Sequence, residues 1–130
     1  CHGAAGIGLA RLGSLDMVKT PEIEREIEIA LQATQNYGLQ TIDHLCCGNL
    51  GRVEVLLVGA QRCSRHDWHQ AAVQNATNVV ARAKQTGAYQ LFPNLPGSVF
   101  NPGFFQGTAG IGYEMLRLAN NDLPSVLLWE

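Results

Sequence analysis

The frame x-x-G-x-x-G occurs three times along the chain, in "CHGAAGIG" at 1–8, "CCGNLGRV" at 46–53 and "FQGTAGIG" at 105–112. Each copy leads into an apolar, helix-forming stretch: "IGLARL" after Gly6, "RVEVLLVGA" after Gly51 and "IGYEMLRLA" after Gly110. The copies are spaced by about 45 and then about 59 residues, which suits a unit of two helices with their connections. A helix that is apolar nearly all round is buried on most sides. The chain is therefore expected to fold as buried helices, each entered through a glycine turn.

Amphipathic segments alternate with these. In "TPEIEREIEIALQATQNYG", Thr20 is a candidate N-cap and Pro21 takes the first helical position, while Glu22 and Glu24 favour the positive end of the helix dipole and Gly38 closes the segment. Ile23, Ile27, Ala30 and Leu31 form one stripe. "DWHQAAVQNATNVVARAKQTG" reads likewise, with Asp67 as cap, a stripe of Ala72, Ala76, Val79, Val80 and Ala83, and Gly87 as stop. Strand signals are weak, and "YQLFPNLPGSVFNPGFF" is an ordered connection rich in breakers. The fold class is all-α, with no internal domain boundary. Inner buried helices alternating with outer amphipathic ones predict a partial α/α toroid with its glycine turns gathered at one active face.

Composition mostly excludes. Nine Lys+Arg against eleven Asp+Glu, a formal net charge of −2, provide no basic field for nucleic acid. No apolar run reaches the roughly 18–20 residues of a membrane span, and no secretory signal is present, so a cytoplasmic location is expected. The chain opens on Cys1 and reads as an excised piece of a longer protein.

Thiols are the chemistry-bearing feature. Cys46 and Cys47 stand at the start of a buried helix and Cys1 holds the neighbouring frame position one repeat earlier, so three sulfurs can converge although far apart in sequence. Helix N-termini carry free N–H groups and positive partial charge, which favour anionic sulfur. Thiolates suit zinc, and a catalytic zinc characteristically has three protein ligands and an open position. The spacing alone leaves a second reading open, in which the cysteines pack as small apolar side chains of a helical core.

"CHGAAGIGLARL", "DHLCCGNLGRVEVLL" and "NPGFFQGTAGIGYEMLRL", in that order and ending near "PSVLLWE", closely resemble the C-terminal part of the cyclase domain of class II lanthipeptide synthetases, the LanM type. The resemblance covers essentially the whole chain. It implies an α/α toroid holding a Zn2+ that activates cysteines of a dehydrated precursor peptide for addition to dehydroalanine or dehydrobutyrine, giving lanthionine and methyllanthionine. It assigns Cys1, Cys46 and Cys47 as zinc ligands, C-C-G standing where stand-alone cyclases have C-H-G. The family's acid/base histidine lies upstream, and no residue here matches its motif. The remainder of the synthetase chain is then a necessary partner, and the piece alone is expected to expose helix flanks and to turn over poorly.

Two further residues are candidates for the chemistry. His2 adjoins Cys1 and is a candidate for lining the substrate channel, the alternative being that, as the neighbour of a ligand, it points away from the metal. Arg52 replaces the isoleucine of the other two copies (Ile7, Ile111), which sets a cation near the sulfur end, either to steady a thiolate or enolate or to pair with Glu54 or Asp43. His44 reads as a loop residue or as a support for the ligands. His66 and His69 belong to a solvated helix start, and Cys63 is a structural thiol. Two alternatives stand beside the cyclase: a zinc-dependent glutathione-type thiol binder of the same superfamily, and a metal-free helical scaffold.

Overall fold

The structure is a computed structural model and describes residues 3–129. The described residues form five helices and no strand: α1 (Gly3–Ser14), α2 (Pro21–Asn36), α3 (Asn49–Cys63), α4 (His66–Thr86) and α5 (Thr108–Ala119). Helix α3 is central and packs against all four others. Helices α1, α3 and α5 form one layer in that order, and α2 and α4 form a second layer over α1 and α3.

The amphipathic helices follow their pattern. Thr20 caps α2 by accepting the Ile23 N–H, Pro21 takes the first position, and Ile27, Ala30, Leu31 and Thr34 are buried. In α4 the buried stripe is Trp68, Ala72, Ala76, Val79 and Ala83, and Gly87 at φ 82° stops the helix in a conformation that glycine adopts without strain. Asp67, expected as the cap of α4, instead lies in its first turn, because the helix starts two residues earlier with Arg65 at the N-cap. Both Asp67 carboxylate oxygens accept from Arg65 at 2.8 Å, and this bond, first among the causes, pulls the Asp67 carboxyl below its usual range.

The apolar helices differ in burial. Eleven of the fifteen residues of α3 are buried, whereas α1 buries only Gly8 and Leu12 and leaves Ile7 53% exposed. Position in the layer explains the contrast, since α3 has neighbours on both sides and above. Gly59 lets α4 and α2 close on α3: a Cβ there would meet Trp68 at 3.1 Å and collide with Leu31.

One polar cluster lies in this core. Glu54 of α3 is fully buried, accepts from Arg117 of α5 at 2.8 Å and from the Ser125 hydroxyl at 2.5 Å, and Arg117 also donates to the Leu123 carbonyl. Glu114, also fully buried, sits beside Glu54. Burial, and then the charge of Glu54, push the Glu114 carboxyl up to about 9. Neither Glu114 oxygen has a hydrogen-bond partner among the described residues, so keeping its proton spares the core a second, unpaired charge beside Glu54.

Two predictions follow from packing and from this buried acid. Gly51→Ala puts a methyl group onto the Leu45 carbonyl and should cost at least the ~1–3 kcal/mol typical of overpacking. Gly112→Ala, in α5 with open space at its Cβ, should be neutral or stabilising by up to ~1 kcal/mol, and denaturant unfolding compares the two. Between the ordinary value of 4.5 and about 9, the folded protein keeps the Glu114 proton that the unfolded chain releases, so stability should fall as pH rises through that range. Glu114→Gln should flatten the fall, as melting temperatures measured across pH will show.

Candidate active site

The site is built on the loop that enters α3. Residues 42–48 curl beneath the first turn of the helix, so that the N–H groups of Gly48, Asn49 and Leu50 donate to the carbonyls of His44 (3.0 Å), Ile42 (2.8 Å) and Asp43 (3.3 Å). These bonds satisfy the orphan donors of the helix start in place of a side-chain cap, which Gly48 does not provide. Glycine is required for the fold-back: a Cβ on Gly48 would lie 2.5 Å from the His44 oxygen. A Cβ on Gly51, Gly107 or Gly110 would likewise meet the backbone of that glycine's own entry loop.

A buried carboxylate fixes the loop from outside. Asp43 accepts from the Asn49 amide at 2.8 Å, from the Gln90 N–H at 2.9 Å and from Arg82 of α4. Asn49 also bridges to Gln40, whose N–H it accepts and whose carbonyl it donates to. Sequence reading passed over Asn49 and Arg82; the only hint was a run of polar residues around the cysteines, and the partners lie too far along the chain for periodicity to join them.

Cys46 and Cys47 lie on this loop at the positive end of α3. Cys46 is half-buried and its N–H donates to the Phe105 carbonyl at 2.8 Å, joining the loop that enters α5. Burial, and then the Cys47 sulfur, push the Cys46 thiol above its usual value. Cys47 is exposed, and its N–H approaches His44 Nδ1 at 3.4 Å. That contact assigns Nδ1 of the buried imidazole as acceptor, and burial lowers the His44 pKa. His44 therefore supports the loop that carries the two cysteines rather than facing outward.

Cys46 and Cys47 both line a cavity of about 910 Å³ between α1, α2 and α3. Gly3, Gly6 and Leu9 of α1 form one wall, Thr34 and Tyr37 another, and Phe105, Leu127 and Leu128 close the side. The C-terminal leucines are held there by the Ser125–Glu54 bond and by the Tyr113 hydroxyl, which donates to the Pro124 carbonyl at 2.8 Å. Arg52, in the first turn of α3, also lines the cavity. Its Nη2 donates to the Gly38 carbonyl at 3.2 Å and to Asn49 Oδ1, and its guanidinium lies 5.2 Å from the centre of the Tyr37 ring. Burial is the first cause lowering its pKa. Neither Glu54 nor Asp43 is its partner, contrary to one of the expectations: Arg117 takes the first and Arg82 the second.

Cys1 and His2 lie outside the described residues. Among the described residues no group of three His, Cys, Asp or Glu side chains is placed to hold a metal ion. The donor set present nevertheless suits zinc as part of a larger one: two vicinal soft thiols share a cavity wall, and a dication removes the mutual repulsion that ionising both would otherwise incur. Cys63 is half-buried, its thiol raised first by burial, and neither it nor His66 or His69 lines the cavity. The two histidine rings stack on each other at 6.3 Å.

A protein-family model described as lanthionine synthetase C-like protein matches residues 1–128. No curated protein and no solved structure matches the chain.

Asp43→Ala is expected to leave Arg82 and the Gln90 N–H without their acceptor. The cost should be about 2–3 kcal/mol, below the ~3–5 of a fully buried pair because Arg82 keeps partial access to water. Because the same loop carries both sulfurs, thiol-alkylation rates at Cys46 and Cys47 should change with it, and unfolding curves beside alkylation kinetics check both.

Proposed function

The chain belongs to the lanthionine synthetase C-like family, and we propose that it is the C-terminal part of a LanM-type cyclase domain that closes thioether rings in a dehydrated precursor peptide. The observation that carries this reading is the cavity in which the start of α1 and the Cys46–Cys47 pair share one space. Cys46 and Cys47 would hold zinc, with Cys1 as third ligand. A zinc held there would supply a peptide cysteine as thiolate at neutral pH.

The residues of this chain prepare that cavity in three ways. The α3 N-terminus contributes positive partial charge where thiolates gather. The apolar wall of Leu9, Phe105, Leu127 and Leu128 excludes water and accepts the side of a peptide. His44 fixes the turn that carries the sulfurs. In the reaction the peptide sulfur bonds to Cβ of the dehydroamino acid, the double-bond electrons move toward its carbonyl, and Cα takes up a proton, which balances the one lost by the thiol. His2, next to the expected first ligand, is a candidate for lining the peptide path.

The layer order α1–α3–α5, with the entry turns of α3 and α5 joined by the Cys46–Phe105 bond, suits an arc of the inner wall of an α/α toroid. No helix among the described residues is long and apolar enough to cross a membrane. A cytoplasmic enzyme acting on a peptide agrees with that and with the near-neutral charge.

The test joins metal content to ring closure. The full-length protein should contain stoichiometric zinc, and Cys47→Ala should lose it. Given a synthetic peptide with a dehydroalanine and a cysteine, the wild type should abolish the alkylatable thiol without changing peptide mass, and Cys47→Ala should not. A folded, metal-free wild type would leave the scaffold reading, and a zinc protein that closes no ring would leave the thiol binder.

A further inference from the structure

Arg52 is a cation in an unfavourable place with part of its capacity unspent. It lies in the first turn of α3, where the helix dipole disfavours positive charge, and it is half-buried. Its frame equivalents are the isoleucines Ile7 and Ile111. A guanidinium has five N–H donors. The two bonds to Gly38 and Asn49 both use Nη2, so that Nε and Nη1 meet no protein acceptor among the described residues. Among the described residues no carboxylate is paired with it, and the acids closest in sequence are already engaged, Asp43 by Arg82 and Glu54 by Arg117. The Nη2 bonds and the Tyr37 ring fix the plane of the group beside the cavity that Cys46 and Cys47 line.

From these placements, and resting on the cyclase reading above, we infer that Arg52 is an oxyanion-holding residue: its free N–H groups receive the carbonyl oxygen of the dehydroamino acid while sulfur adds to the neighbouring alkene. As the S–Cβ bond forms, the alkene electron pair passes to the Cα–C(O) unit and negative charge gathers on that oxygen. Arg52 donates hydrogen bonds to it and keeps its own protons. The charge then returns to Cα as that carbon takes a proton from solvent or from an acid elsewhere in the protein. Donors directed at an oxygen whose charge grows in the transition state act chiefly on kcat. The two Nη2 bonds orient the group, and the unengaged edge does the chemistry.

A purely structural staple between α3 and the Tyr37–Gly38 turn is the competing role, and the experiment separates the two. With the peptide carrying dehydroalanine and cysteine, Arg52→Ala in the full-length protein should lower kcat by about 10²–10³-fold, with KM, zinc content and melting temperature little changed. Millimolar guanidinium should restore part of the lost rate, and Arg52→Lys should fall between the two. Should the alanine variant fail to fold, Arg52→Gln keeps a donor for Gly38 and Asn49, removes the charge, and carries the same comparison. A variant within about twofold of wild-type kcat would overturn the inference while leaving the cyclase reading intact. So would a loss that follows zinc content or unfolding and resists guanidinium. A wild type that closes no ring would overturn both.

Discussion

Two glycines lying directly against backbone carbonyls set the geometry of everything else. Gly51 in α3 rests against the Leu45 oxygen and Gly110 in α5 against the Phe104 oxygen, with no room at either place for a Cβ. Only this approach lets the entry loops fold beneath the helices they precede. The loop before α3 then meets the one before α5: the Cys46 N–H bonds to Phe105, and the Cβ position of Gly110 lies 3.2 Å from Leu45 Cβ. This backbone packing fixes the loop on which Cys46 and Cys47 border the cavity.

The interior of the α3–α5 seam is polar in a protein with few charges. Glu54 gathers Arg117, Ser125 and Glu114 in one buried group. Such a group is weak evidence for stability, since apolar replacements of the same shape are often as stable. Its effect here is positional. Arg117 and Ser125 bind Glu54 from two different segments, so the chain after α5 has one place to lie, and that place delivers Leu127 and Leu128 to the cavity wall. An apolar seam would hold α5 as firmly but would not fix the segment that follows it.

Helix positions were legible wherever periodicity and capping act locally. Thr20, Pro21 and Gly87 work as their chemistry dictates, and the stripes of α2 and α4 face the core. Asp67 was misplaced because Arg65 competes for its carboxylate, a pairing of neighbours that a capping rule does not weigh. The apolar helices were recognisable as helices, but their pattern could not say how many sides are covered: Leu116 of α5 is 59% exposed although its neighbour Arg117 is buried. Least legible were the partners of charged groups. Asp43 and Glu54 were weighed as partners of Arg52, which is closest in sequence, yet the fold assigns them to arginines 39 and 63 residues away. The thiol pair was readable from adjacency alone, whereas the cavity it faces depends on α1 and α2.

The repeat also shows how one backbone supplies both packing and chemistry. At equivalent positions of the frame, α3 and its entry loop carry Arg52 and Cys46 where α5 and its entry loop carry Ile111 and Phe105. Ile111 is 3% exposed and belongs to the core cluster, so its seam against α3 is filled. Arg52 occupies the corresponding place on α3, and there the space toward α1 and α2 remains open as the cavity. An isoleucine at 52 would add to the apolar wall and relieve the dipole of an adverse charge. Retaining a guanidinium costs stability at a helix start that already lacks a side-chain cap, and the described residues offer it only neutral acceptors in return. A polar group held at such cost, with donors left open beside two thiols, makes sense as a receiver for an oxygen that the protein itself does not supply.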